Sequence, residues 1–226
     1  MATTEERARL SRETVVDGAL ALTDTEGLEG LTIRRLATHL GVTPMALYWH
    51  FKNKDELLDG VADRLWSLVD TEVDQELPWS VRLRSLMDSM VEVLRSHPQA
   101  SSLLMTTQPD ASVSCFAIME VALETLASAG FSPAESAAIC RHGLRTVTTL
   151  AVGDSGLKPQ QTADEAAEFI RHKRIALETL PRNRYPCVIE AAGPLSEIEN
   201  PDAYFAFGID LFVSGVEALA ARKAGE

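Results

Sequence analysis

Residues 32–54 predict two short helices joined by a tight turn, and this spacing constrains the fold more than any other feature. Thr32 can cap a first helix with one apolar face, formed by Ile33, Leu36, Ala37 and Leu40. Gly41 follows at the place where helices commonly end in a left-handed residue. Thr43 can then cap a second helix with Pro44 in its first turn, where a missing N–H costs little. This arrangement predicts a helix-turn-helix, whose second helix enters the major groove of DNA.

Helix signals continue along the rest of the chain. Ser11 can cap a first helix that ends near Thr25, Gly27 then breaks the chain, and Asn53 can start a long fourth helix. Alternating runs of β-branched residues and hairpin turns such as Asn-Gly are absent from the sequence. We therefore expect an all-α protein with a helix-turn-helix domain at 1–58 and a helical domain at 59–226. The later helices are predicted at about 79–96, 98–105, 110–129, 132–153, 163–180, 185–192 and 201–223.

The charge of the chain is unevenly distributed. The net charge is -12, which by itself disfavours a nucleic-acid partner. Between residues 31 and 54, however, four basic residues occur and no acidic ones, namely Arg34, Arg35, Lys52 and Lys54. A local basic surface is what binding to phosphates requires. An ordinary solvated helix face would explain the charge of this segment equally well.

A helix that reads DNA must pack one face on its own domain and leave another face free. In the second short helix Leu47 and Phe51 can face the core. Tyr48, Trp49 and His50 are consecutive, so they cannot share one face, and at least one of them should be exposed. A role as core aromatics is the alternative. The residues predicted to contact DNA are Thr32, Arg34, Thr43, Pro44, Met45, Ala46, Tyr48, Trp49, His50, Lys52 and Lys54.

The three cysteines, Cys115, Cys140 and Cys187, argue against a disulfide framework and favour a reducing compartment. Their spacing is not that of metal ligands, so no metal or cofactor is expected. Residues 1–12 are polar and lack the apolar segment of a signal peptide. Apolar stretches are interrupted by charged residues or glycine before about 18 residues, so no membrane partner is expected. The sequence thus predicts a cytoplasmic protein.

Three segments of the N-terminal region carry a family resemblance. Leu31–Ala37 reads LTIRRLA, Leu40–Val42 reads LGV, and Ala46–Leu58 reads ALYWHFKNKDELL. Together they resemble the signature of the tetracycline-repressor (TetR) family over about residues 10–58. The resemblance implies three DNA-binding helices, a fourth linking helix, and a C-terminal domain that dimerises and binds an inducer. It also implies a homodimeric repressor on a pseudo-palindromic, double-stranded operator, with Lys54 on a phosphate.

The C-terminal half carries a weaker likeness to the same family. Gly130–Ser132, Tyr204–Ile209 and Gly215–Glu217 resemble the tetracycline-repressor type of C-terminal domain. The resemblance implies that the helices at about 132–153 and 201–223 form a four-helix bundle across the dimer. Both are apolar on more than one face, as a helix buried on two sides must be. A central position in the core of a single chain would produce the same pattern.

The predicted ligand pocket departs from the prototype of the family. Tetracycline repressors hold their drug as a magnesium chelate, partly through a histidine and a carboxylate, and these positions align with Leu104 and Gly153 here. The sequence therefore predicts a small apolar or amphipathic inducer that binds without a metal. An ordinary core role explains each candidate lining residue equally well. The candidates are Trp66, Leu86, Met90, Leu104, Gln108, Phe116, Cys140 and Arg141.

Two other classes of function remain open at this point. A small all-α enzyme could use the same pocket, but no paired acid and base or activated nucleophile supports it, so we expect no enzymatic activity. A redox sensor could bind DNA and respond through Cys140 or Cys115. The sequence also leaves open activation of transcription in place of repression.

Overall fold

The computed structural model describes residues 10–105, 112–153 and 162–225 of the 226-residue chain. These ranges are helical and contain no β-strand, so the all-α prediction is confirmed. A 3-10 turn, Ser102–Met105, follows the sixth helix. The helices are α1 (Arg12–Gly30), α2 (Ile33–His39), α3 (Pro44–Tyr48), α4 (Lys54–Ser67), α5 (Trp79–Ser96), α6 (Pro98–Ser101), α7 (Val113–Ser128), α8 (Pro133–Gly153), α9 (Ala163–Glu178), α10 (Pro186–Glu190), α11 (Ala192–Ser196) and α12 (Pro201–Ala224).

Local side-chain caps start the first four helices. The side-chain oxygens of Ser11, Thr32, Thr43 and Asn53 each accept a hydrogen bond from the backbone N–H three residues later. Each bond satisfies a donor that has no partner within its own helix. Gly41 has a φ of 66°, as the predicted turn requires. The starts of these helices therefore follow from the sequence alone.

Three predicted helices differ in their extent. The first continues past Thr25 to Gly30, with a kink at Gly27, whose φ of 75° lies in the left-handed region. The helix predicted at 98–105 is one α-turn followed by a 3-10 turn, because the Ser101 and Ser102 hydroxyls donate to preceding carbonyls and compete with regular helix geometry. The helix near 185–192 divides into α10 and α11, because Pro194 has no N–H to continue α10.

The N-terminal half packs on buried residues whose core is continuous with that of the rest of the chain. Helices α1 and α4 pack together, while α2 contacts both α1 and α3. Helix α4 runs without a break through the predicted domain boundary at 58/59 and contacts α5 and α7. It is therefore a shared element of the two halves. The buried residues of the N-terminal half include Val15, Ala19, Leu36, Leu47, Phe51, Leu57 and Val61.

The C-terminal half is built on α5, α7, α8 and α12, which pack around a common apolar core. Helices α9, α10 and α11 pack mainly against one another. Helix α12 is long and apolar enough to cross a membrane by length and composition, although Gly208 and Asp210 interrupt its apolar stretch. It passes because charged residues are sparse along it, yet it packs here against α5 and α8. Core helices of soluble proteins also pass this test.

Candidate DNA-binding surface and ligand cavity

The short helix α3 presents two chemically different faces. Leu47 is 1% exposed, and Phe51, just after the helix, is 2% exposed, so the prediction that both face the core is confirmed. Met45, Tyr48 and Trp49 are exposed, Trp49 by 84%. Large apolar side chains rarely stand free in water as a contiguous group without a binding role. This outer face is consequently the candidate surface for DNA.

The other predicted DNA contacts surround that face. The exposed ones include Thr43 and Pro44 at the start of α3, and Lys52 and Lys54 after it; Ala46 and His50 are partly buried. Thr32 and Arg34 are also exposed, at the start of α2. In the same helix, Arg35 is paired with Glu26 at 2.5 Å, so its charge is partly balanced within the chain.

Two residues outside the predicted set hold the segment after α3 in place. The Arg12 guanidinium lies 4.2 Å from the Phe51 ring centroid. It donates hydrogen bonds to the His50 carbonyl at 3.0 Å and to Glu56 Oε1 at 2.9 Å. Glu56 Oε2 accepts from the Lys52 N–H at 2.8 Å. These contacts fix the backbone between α3 and α4.

The bond from the Lys52 N–H, followed by the one from Arg12, lowers the pKa of the Glu56 carboxyl below its ordinary value. The spacing of Asn53 and Glu56 signals a helix start and could have singled out Glu56. Arg12 has no comparable signal, because its partners lie about 40 residues further along the chain.

A small apolar cavity of about 40 Å³ lies between α5, α7, α8 and α12. Three predicted pocket residues line it: Leu86, Met90 and Cys140. The remaining lining residues were missed, although they recur every three or four positions along α5, α7 and α8, a pattern that could have found them. They are Leu83, Met87, Cys115, Ile118, Met119, Ala122, Ile139, Gly143, Leu144 and Phe212.

The other predicted pocket residues lie elsewhere. Trp66 and Leu104 are buried in the core outside the lining of this cavity. Phe116 and Arg141 are exposed, because on a helix their side chains leave about 100° away from those of the preceding cysteines. Gln108 lies outside the described residues.

Sulfur is concentrated around this cavity. Five of its thirteen lining residues carry a sulfur atom: Met87, Met90, Cys115, Met119 and Cys140. Burial raises the pKa of the Cys140 thiol to about 11, so this group is a neutral thiol at physiological pH. In the described ranges no three His, Cys, Asp or Glu residues are grouped as metal ligands. The lining is therefore soft, polarizable and uncharged.

Helix α12 leaves a second apolar surface uncovered. Phe207 and Leu211 are about 60% exposed, and Tyr204 and Leu219 about 40%. These residues recur every three to four positions or a multiple of that spacing, so they lie along one side of the helix. The opposite side, which carries Phe205, Ile209 and Val213, is buried against the chain's own core. Helix α12 is thus apolar on two sides, and α5 and α8 cover one of them.

Comparison with known proteins connects these features. Residues 15–61 match the family described as bacterial regulatory proteins, tetR family, and residues 74–220 match the tetracyclin repressor-like C-terminal domain. The class C tetracycline repressor protein of Escherichia coli is 31% identical over 216 residues, covering 93% of this chain and 92% of its own length.

Two solved structures share the fold. The Streptomyces coelicolor TetR family protein ActR, in complex with actinorhodin, superposes with a TM-score of 0.81 at 26% identity, covering 93% of this chain and 97% of its own. BioQ with its double-stranded DNA operator superposes with a TM-score of 0.58 at 28% identity, covering 82% of this chain and 99% of its own. The chain therefore belongs to the tetR family of bacterial regulatory proteins, whose members are DNA-binding regulators that respond to ligands.

Proposed function

We propose that this chain is a homodimeric repressor, which binds a pseudo-palindromic operator through α3 and releases it when a small, largely apolar molecule enters the cavity. The observation that carries this proposal is the division of α3 and its flank into buried Leu47 and Phe51 and exposed Met45, Tyr48 and Trp49. A helix with no binding role would not expose three large side chains beside basic residues. The proposed domains are residues 1–58 for DNA binding and 59–226 for ligand binding and dimerisation.

On the operator, α3 of each protomer would enter one major groove, with the two centres about 34–36 Å apart. Residues 43–50 face the groove in this arrangement. Arg34 is proposed to reach a phosphate or a guanine edge, since arginine binds both in a bidentate manner. Lys52 and Lys54 are proposed to contact phosphates, which would make operator binding weaken steeply with salt.

Dimerisation is proposed to involve the uncovered side of α12 together with α8. Phe207 and Leu211 are exposed in the single chain, and α12 already packs against α8 within it. Association of two such helix pairs would remove this apolar surface from water, which is favourable in proportion to its area. Dimerisation would also hold the two copies of α3 at a fixed spacing.

The proposed ligand is uncharged over most of its surface and contains an aromatic ring system. The cavity offers no ionised side chain, and methionine and cysteine sulfur contacts aromatic rings favourably. The tetracycline–magnesium chelate is not proposed, because Leu104 and Gly153 replace the groups that would help to hold it. A volume of about 40 Å³ is far below the roughly 300 Å³ of a typical ligand site. Binding must therefore move the walls, so that ligand and operator favour different conformations.

A role in binding, with no catalysis, is proposed for this cavity. A reactive cysteine has a lowered pKa, whereas that of Cys140 is raised to about 11 by burial. The same property argues against the redox-sensing alternative at this residue. Because the proposed partner is chromosomal DNA, we propose that the protein acts in the cytoplasm.

Fluorescence anisotropy with DNA fragments from around the protein's own gene tests operator binding. Wild-type protein should bind one fragment specifically, and Arg34→Ala and Tyr48→Ala should each weaken this binding. Lys173→Ala is the matched control, because Lys173 is an exposed basic residue on α9, outside the DNA-binding half. A flat dependence on salt, or equal binding by all variants, would contradict the proposal. The bound fragment then serves as the probe for aromatic compounds that release it.

A further inference from the structure

Adjacent residues near the C-terminal end of α4 make polar contacts in opposite directions. Arg64 Nε donates to Asp17 Oδ1 on α1 at 2.7 Å. Asp63 Oδ1 accepts from the Ser112 hydroxyl at 2.8 Å and from the Ser114 backbone N–H at 2.9 Å, at the start of α7. Successive side chains on a helix point about 100° apart, so one turn of α4 can contact both halves of the protein. This turn is a direct polar connection between them.

At its α7 end, this polar connection reaches a wall of the cavity. The Ser112 hydroxyl, which donates to Asp63, also accepts from the Cys115 N–H at 3.0 Å and so caps α7. Cys115 lines the cavity, as do Ile118 and Ala122 further along the same helix. The Asp63 carboxylate also lies at the N-terminus of α7, where a negative charge is favourable. The position of the first turn of α7 is thus tied to the position of α4.

We propose that Asp63 is the positioning residue that couples the ligand cavity to the DNA-binding domain. This inference rests on the proposed function, because it takes the cavity as the ligand site. The cavity is too small for a typical ligand, so occupancy must displace a wall, and displacement of α7 acts on α4 through the hydrogen bonds of Asp63. Helix α4 transmits the shift to α1 through Arg64 and Asp17. Without these two hydrogen bonds, the cavity and the operator surface respond independently.

An internal substitution can replace the unknown ligand in the test. Ala122→Leu adds three carbon atoms to the α7 wall of the cavity and should push α7 outward; Ala122→Val is a milder version in case the first fails to fold. Operator affinity is measured with and without this substitution in wild-type protein and in Asp63→Ala, Asp63→Asn and Asp59→Ala backgrounds. Asn retains a carbonyl that accepts both hydrogen bonds. Asp59→Ala removes an exposed carboxylate one turn earlier on α4 and is the matched control.

The quantity to compare is the ratio of the operator affinities without and with the cavity-filling substitution. If Asp63 had a purely structural role, its removal would leave this ratio unchanged. Cavity filling should weaken operator binding about fivefold or more in the wild-type, Asp63→Asn and Asp59→Ala backgrounds, which is the lower range of ordinary allosteric coupling. In the Asp63→Ala background the effect should fall below about twofold, with operator binding itself retained. Thermal unfolding of each variant verifies that it is folded.

Three results would overturn the coupling. An equal effect in the Asp63→Ala and wild-type backgrounds, or its loss in Asp63→Asn as well, would remove Asp63 from the mechanism and leave control by the cavity standing. If filling the cavity of the folded wild-type protein leaves operator affinity unchanged, both the coupling and ligand control through this cavity are overturned. The proposal of operator binding is then unaffected, because the anisotropy titration tests it separately.

Discussion

Trp49 and Phe51 lie two residues apart and should respond to truncation in opposite ways. Trp49 is 84% exposed in the free protein. A tryptophan offers about 200 Å² for contact, and if DNA covers about half of that at about 25 cal/mol per Å², its removal costs roughly 2.5 kcal/mol. Trp49→Ala should therefore weaken operator binding by about 70-fold. The melting temperature should change by no more than about 1–2 °C, as is usual for surface positions.

Phe51→Ala is the matched contrast, because this ring is 2% exposed and carries the Arg12 guanidinium at 4.2 Å. Truncation of a buried phenylalanine costs about 3–5 kcal/mol. At about 2–4 °C per kcal/mol for a chain of this size, the melting temperature should fall by roughly 6–20 °C.

Differential scanning fluorimetry and operator titration by anisotropy give the two readouts on the same samples. If Trp49→Ala unfolds as early as Phe51→Ala, Trp49 is part of the core and not of the DNA-binding surface. If Trp49→Ala binds the operator as tightly as wild-type protein, this side chain makes no contact with DNA.

Three further outcomes are expected. Thr43→Ala removes the cap of α3 and should cost about 1 kcal/mol of stability, which thermal melts measure, while Thr43→Ser should not. Gly41→Ala places a Cβ at a φ of 66° and should lower stability by about 1–2 kcal/mol in chemical denaturation, with Gly41→Asn less affected. The hydrogen bond from Lys223, followed by that from Ser132, lowers the pKa of Glu135 to about 2. The stabilising effect of the charged Glu135 carboxylate is therefore present above the unfolded pKa of 4.5 and is lost as the pH falls toward 2. The stability difference between wild type and Glu135→Gln should shrink over that range; a constant difference would exclude this ion pair.

The sequence by itself determined where the first helices begin and which way α3 faces. Caps such as Thr32 and Thr43 act on backbone groups three residues away, so their effect is present in the local sequence. The 100° rotation between neighbouring residues separates Leu47 from Tyr48 whatever surrounds the helix. The helix-turn-helix and its outer face could for this reason be predicted.

The extents of α1 and of the helix at 98–105 could not be predicted from local signals alone. The kink at Gly27 ends the regular part of α1 near the predicted place, yet the chain resumes a helical turn up to Gly30. The segment 98–105 has helical composition, but α6 packs against α1 as well as α5, and the hydroxyls of Ser101 and Ser102 donate to preceding carbonyls, including that of Leu94 in α5. Competition between such contacts and helix geometry is decided by the neighbours.

Only the tertiary structure decided which side chains meet across the molecule. Met90 and Cys140 line the cavity, whereas Phe116 is directed to solvent and its neighbour Cys115 to the cavity. Periodicity gives the apolar face of each helix, but the position at which four faces leave a gap depends on how the helices pack. The link from Asp63 to Ser112 spans 49 residues of chain for the same reason. Contacts of this kind depend on the relative placement of whole helices, which no local pattern of residues encodes.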